Sequence, residues 1–269
     1  STTELGTISS FDSNDTVTIS DTATNISSAT MSGNIDTIDA TDNGAYSVSI
    51  SEAAYTFDSN DTVSLSDTAT NLSGATMSAN LDSIDATDNG AYTVSAAESA
   101  LTFDSNDTVT LSDTASNISG ATINATVDAV DATDNGAYTI SKTELDSSTT
   151  FDSNDTVTVS DTASNISAST LTGNNVDSVD ASDNGAYTVS VAESSLSFDS
   201  NDTVTVSDTA TNIGGATMTG NIDTVDATDN GAYSVSISEA GYTFDSNDTV
   251  SLSDTATNLS GATMSANLD

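Results

Sequence analysis

The sequence predicts an all-β chain, a tandem-repeat parallel β-solenoid of about 46-residue units with one or two coils per unit. Three observations lead there. The segment FDSNDTV opens at Phe11 and returns at Phe57, Phe103, Phe151, Phe198 and Phe244, so the chain is internally repeated. Within each unit, apolar residues alternate with Ser and Thr. Ser, Thr, Asn and Asp, which offer the backbone alternatives to helical hydrogen bonds, dominate every window.

Taken in order along the first unit, FDSND (Phe11 to Asp15) reads as a turn, because Asp and Asn side chains fold back on their own backbone. Val17 and Ile19, separated by Thr18, predict a half-buried strand. SDTAT (Ser20 to Thr24) reads as a second turn, and shorter strands are expected around Ile26, around Met31, and at Ile35 with Ile38. DNG (Asp42 to Gly44) is a third turn, with Gly44 expected to supply a positive φ. Tyr46, Val48 and Ile50, spaced by Ser47 and Ser49, predict another strand. SEAA (Ser51 to Ala54) is the one moderately helical stretch. Successive FDSNDTV segments lie 46, 46, 48, 47 and 46 residues apart. The extra residues fall at Asn174-Asn175 and between Lys142 and Phe151, which are therefore expected to be turns, where insertions are tolerated.

These boundaries divide the chain into the end of a preceding repeat (1–10), five repeats (11–56, 57–102, 103–150, 151–197, 198–243) and a partial sixth (244–269). With both ends falling inside a unit, a piece of a longer repetitive polypeptide is expected. One unit cannot offset its own ordering entropy, so units are expected to stack, each strand pairing with its copy. Val17, Val63, Val109, Val157, Val204 and Val250 would then form one ladder. Asn25, Asn71, Asn117, Asn165, Asn212 and Asn258 would form another. The similarity of Val17–Ile26 to Val48–Phe57, and the repulsion between Asp residues stacked about 4.8 Å apart, favour two coils per unit over one.

Composition excludes several functions. Asp and Glu number 41 against one cation, Lys142, for a net charge of −40, and there is no His, Cys, Pro or Trp. A surface this acidic repels nucleic acid. Thiol chemistry, disulfides and His- or Cys-ligated zinc are excluded, and no apolar run suits membrane insertion. The paired carboxylates repeat in every unit without a distinct pocket-forming segment, so the chain is not expected to be an enzyme.

Two acidic clusters recur: D-x-N-D, at Asp12, Asn14 and Asp15, and D-x-x-D-N-G, with Asp39, Asp42 and Asn43. Hard cations take several oxygen ligands, and these side chains with turn carbonyls are candidate Ca2+ ligands here and at the repeat equivalents. Neither cluster matches an EF-hand loop. The alternative is Asx turns on a solvated face with diffuse cation screening. No cofactor besides Ca2+ is implied.

The pattern V-S-D-T-A-x-N-I (Val17 or its equivalent through Ile26), then I-x-x-I-D-A-T-D-N-G (Ile35 to Gly44), then Y-x-V-S-x-x-E-A (Tyr46 to Ala53) resembles β-strand repeats of very large secreted bacterial surface, adhesin and fibre proteins. The resemblance implies an extracellular or cell-surface structural role in a fibre, filament, surface layer or adhesin stalk, and carries no catalytic motif. Expected partners are copies of the chain itself, joined through unpaired strand edges, and cell-surface glycans. The competing expectation is a binding module for ice or carbohydrate. It would present a repetitive Thr/Asp face, suggested by Thr-x-Thr at Thr16/Thr18, Thr108/Thr110, Thr156/Thr158 and Thr203/Thr205.

Overall fold

The structure, a computed structural model, describes residues 1–5, 11–31, 34–77, 80–147, 149–167, 170–172, 174–260 and 268. The chain divides into two compact units, Ser1–Asp134 with Ser147–Thr149, and Asn135–Asp146 with Thr150–Asp269. Both are repeating parallel β-structures. The five full repeats contribute the same series, seen from the second as a long strand (Thr62–Asp67), an acid strand (Ser83–Ala86), a tyrosine strand (Ala91–Val94) and, at the junction with the third, a short phenylalanine strand (Thr102–Phe103).

The sheets are built across repeat boundaries. The tyrosine strand of repeat 1 (Ala45–Val48) pairs with Thr62–Asp67, which pairs with Ser83–Ala86, which pairs with Thr102–Phe103, all parallel. In the second unit Ala137–Ile140, Thr156–Asp161, Ser178–Ala181 and Ser197–Phe198 repeat that order. So do Ala186–Val189, Thr203–Asp208, Thr224–Ala227 and Thr243–Phe244.

The register corrects the expected stacking. Ala45 faces Thr62, 17 residues on, and Ser64 faces Ser83, 19 residues on. Strands therefore pair with unlike neighbours and not with copies of themselves, at a shift that is neither one repeat nor half of one. Val63 lies opposite Tyr46, and Val109 opposite Tyr92, so the all-Val ladder is not formed among the described residues. The Asn series does not stack either: Asn71 and Asn117 each donate Nδ2 to the Asp four positions earlier. The outward residues contribute to this register. A shift of 19 sets Ser20 against Asp39 and Ser66 against Asp85, where each hydroxyl donates to the carboxylate, and on the other edge of the acid strand it brings Asp39 alongside Asp58.

On the inward side the same register lines up apolar residues. Val48, Leu65, Ile84 and Phe103 form one such row, each 3% exposed or less. Tyr46 packs edge-on against Phe57 at a centroid distance of 6.3 Å, and Tyr187 against Phe198 at 6.2 Å.

Two local expectations are also corrected. SDTAT leads into a one-turn α-helix, Ala23–Ser27 in the first repeat and Ala69–Leu72 in the second. Ile26, expected on a strand, is therefore helical. Asp67 caps the turn by accepting from Thr68 N and Asn71 Nδ2, and burial of Ala69 and Leu72 overrides weak helix propensity. In the DNG turn it is Asn43 that takes the left-handed conformation (φ 50°). Gly44 serves close packing instead: a Cβ there would lie 2.8 Å from Ala23 Cβ. Both insertions fall outside strands, with Asn175 left-handed (φ 58°) and Lys142–Asp146 helical.

Candidate metal centre

The FDSND turn builds the site. Beyond the phenylalanine strand Thr56–Phe57, Asp58 N–H donates to Ile38 O at 3.1 Å, which brings Asp58 alongside Asp39 of the acid strand Thr37–Ala40. Asn60 donates both N and Nδ2 to Asp58 Oδ1 (2.9 and 2.7 Å), and Asp61 N–H donates to Asp58 O at 3.2 Å, closing the turn. Asp61 is thereby turned inward and is 7% exposed. Its Oδ2 accepts from Ala40 N at 2.8 Å and from Tyr46 OH at 3.2 Å. Its Oδ1 is buried with no hydrogen-bond partner.

Asp39, Asp58 and Asp61 each place one carboxylate oxygen within 4.8 Å of the others. Asp39 has Oδ2 held by Ser20 Oγ at 2.8 Å. Each carboxylate thus has one oxygen tied to protein donors and the other left over. The arrangement recurs at Asp85, Asp104 and Asp107, at Asp180, Asp199 and Asp202, and at Asp226, Asp245 and Asp248. The third member is 6–7% exposed in each case and has an orphaned Oδ1. These donor sets can hold a metal ion. A groove of about 400 Å³, lined by Ser64, Ser83, Asp85, Thr102 and Asp104 among others, reaches the second triad.

Among the described residues none of these triad carboxylates is ion-paired. Lys142, the single side-chain cation, is ion-paired with Asp146. Burial pushes the Asp107 carboxyl above the usual carboxylate range; hydrogen bonds from Ala86 N and Tyr92 OH oppose this, and the Asp85 and Asp104 charges add to it. Asp202 is raised for the same reasons, burial first. The Tyr92 phenol is pushed up as well, by burial and then by the charge of Asp107.

The structure splits the two sequence clusters and recombines them. Asp39 comes together with Asp58 and Asp61, the repeat equivalents of Asp12 and Asp15, and not with Asp42 or Asn43. Asp42 Oδ1 accepts from Ala23 N at 2.9 Å, and Asn43 supplies the left-handed turn residue. Asn14 donates N and Nδ2 to Asp12 Oδ1, both at 2.9 Å, which shapes the turn around Asp12. For Asp12 and Asp15 no third carboxylate lies within reach among the described residues.

Sequence reasoning missed what most carboxylates do. Asp82 accepts from Val63 N, Asp88 from Ala69 N, Asp67 from Ile50 N, and Glu98 from Ser95 N, so the acids satisfy backbone donors that the strands leave open. Glu52, 7% exposed, forms a capping box with Ser49 and also accepts from Met31 N. The S-x-x-E spacing was the available signal for that box. Of the Thr-x-Thr pairs, Thr205 lies in a register row with Thr188, Thr224 and Thr243, whereas Thr203 faces Ala186. Among the described residues no helix is long and apolar enough to cross a membrane.

Compared with family models, curated proteins and solved structures, the chain matches none.

Proposed function

We propose that the chain is a structural segment of an extracellular or cell-surface rod, a β-solenoid extended by adding repeats, that it performs no catalysis, and that calcium is the counter-ion of its carboxylates. The observation that carries this reading is the construction of sheets across repeat boundaries. A tyrosine strand belongs to the sheet of the following repeat, and Tyr46 packs on Phe57 of the preceding sheet, so a repeat is completed only by its neighbours. Such a unit has no natural stopping number and suits a spacer, fibre or stalk. Its outermost strands offer edges to further copies of the chain. Among the described residues, many carboxylates accept from backbone donors or join the triads, and the same arrangement recurs from repeat to repeat, as a structural role would require.

Register shifts of 17 to 20 residues correspond to roughly two and a half turns per repeat, so with strands about 4.8 Å apart each repeat should lengthen the rod by about 12 Å. Electron microscopy and small-angle scattering on chains with different numbers of repeats test this. Length rising linearly by that increment is expected; particles that grow in all dimensions would overturn the reading.

A further inference from the structure

We propose that each Asp triad is a calcium site that staples one repeat to the next. The inference rests on the calcium part of the reading above and adds a place, a stoichiometry and a consequence. Asp39 belongs to one repeat, and Asp58 and Asp61 to the next. An ion held by all three fastens the turn that opens a repeat to the acid strand of the repeat before it.

An acidic cluster alone would not carry this. The second observation is Asp61 Oδ1: the carboxylate is 93% buried by its 7% exposure, belongs to the triad, and has one oxygen facing no protein donor. The same orphan recurs at Asp107, Asp202 and Asp248. A buried carboxylate oxygen without a partner destabilises the fold, a defect that should not be repeated from repeat to repeat unless something fills it. The other oxygen of Asp61 is already fixed by Ala40 N and Tyr46 OH, so the orphan is held in place without an ion.

Size and hardness select the ion. All donors are oxygens, which suits calcium or magnesium and not the soft metals. Triad oxygens within 4.8 Å of one another lie close enough for one ion to bridge them, and calcium's flexible shell accepts an irregular oxygen set more readily than magnesium's strict octahedron. Three carboxylates leave calcium's remaining positions to a second oxygen of a partly exposed Asp and to water.

The test uses the full chain and terbium(III), an oxygen-seeking substitute for calcium whose emission is sensitised by nearby tyrosine. Tyr46 OH hydrogen-bonds to Asp61, so an ion in the triad sits next to a phenol. Terbium emission excited through tyrosine should appear, saturate, and be displaced by calcium but not by an equal ionic strength of sodium chloride. Combining Asp61→Asn, Asp107→Asn, Asp202→Asn and Asp248→Asn should remove most of it, while Asp42→Asn, which alters a turn acid outside the triads, should keep it. Calcium should raise the melting temperature of the natural chain and not that of the fourfold variant. Without metal the fourfold variant should melt no lower than the natural chain, because neutralising the orphan relieves repulsion. If that variant does not fold, Asp61→Asn alone should remove one share of the emission. Emission that is absent, that never saturates, that sodium chloride removes, or that survives in the variants would overturn the proposal. Rod length is read separately, so a chain can bind calcium at the triads and fail as a rod, or the reverse.

Discussion

Ser66 Oγ donates to Asp85 Oδ2 at 3.0 Å across two neighbouring strands in which the residues are register partners. The same pairing recurs at Ser20 and Asp39, Ser112 and Asp131, Ser160 and Asp180, and Ser207 and Asp226. Each contact places a neutral donor where a one-repeat register would place a second carboxylate. One edge of the acid strand thus meets hydroxyl donors, whereas its other edge meets acids, Asp39 lying beside Asp58 in the triad.

The inward row is the first place to test the register. Leu65 is fully buried between Val48 and Ile84. Leu65→Ala should destabilise the fold by about 2–5 kcal/mol, as the lost transfer energy is joined by a cavity that its strand-bound neighbours cannot close. The exposed Thr62→Ala on the same strand should stay within about 0.5 kcal/mol. Chemical denaturation followed by circular dichroism reads both, and equal midpoints for the two variants would contradict the inward row.

Gly90 and Ala69 should show strong coupling. A Cβ on Gly90 would lie 2.6 Å from Ala69 Cβ, closer than carbon atoms tolerate. Gly90→Ala is expected to cost about 1–3 kcal/mol through overpacking. Much of that cost should vanish in a background of Ala69→Gly, although Ala69→Gly alone is destabilising. A double-mutant cycle measures the coupling; simple additivity would show that the clash is not what constrains the glycine.

How far the chain could be read from its sequence follows from these residues. Strand faces were legible, because Val63 and Leu65 alternate with Ser64 and Ser66 wherever the long strand recurs. Register was not legible: the alternation is alike in all the strands, so apolar rows form at a shift of 19 as readily as at 46. The triad stayed hidden for the same reason. Asp39 and Asp58 are separated by one register shift and meet only once that shift is known. The one-turn helices were missed because composition argues against them, whereas their stability comes from burial of Ala69 and Leu72 and from capping by Asp67.

Glu52 offers a test of the buried capping box. One carboxylate oxygen accepts from Met31 N at 3.2 Å, and the other from Ser49 N at 2.8 Å and Ser49 Oγ at 3.0 Å. Glu52→Gln must turn an NH2 group toward one of these donors, leaving a buried N–H unpaired. The expected loss is about 1–3 kcal/mol despite near-identical shape, visible as a lower denaturation midpoint. An unchanged midpoint would mean that the Ser49 hydroxyl and water take over the carboxylate's role.

Stability should fall in acid by a route that involves the helix-capping acids. Burial pushes Asp67 upward, but hydrogen bonds from Asn71, Thr68 N and Ile50 N outweigh it, and the group titrates below the usual carboxylate range. Asp113, Asp161 and Asp208 are lowered in the same way. Because the folded chain holds these protons less tightly than the unfolded chain, the unfolded state binds more protons as pH drops. The stabilisation is complete above the ordinary carboxylate range and is lost progressively as pH falls from that range through the lowered folded values. Melting temperatures measured in chelator across the acidic range should therefore decline with increasing steepness. Combining Asp67→Asn, Asp113→Asn, Asp161→Asn and Asp208→Asn should lower stability at neutral pH, because an amide can accept on only one side, and should flatten the acid limb, because it does not titrate. An acid limb as steep in the fourfold variant as in the natural chain would show that these four acids do not govern acid unfolding.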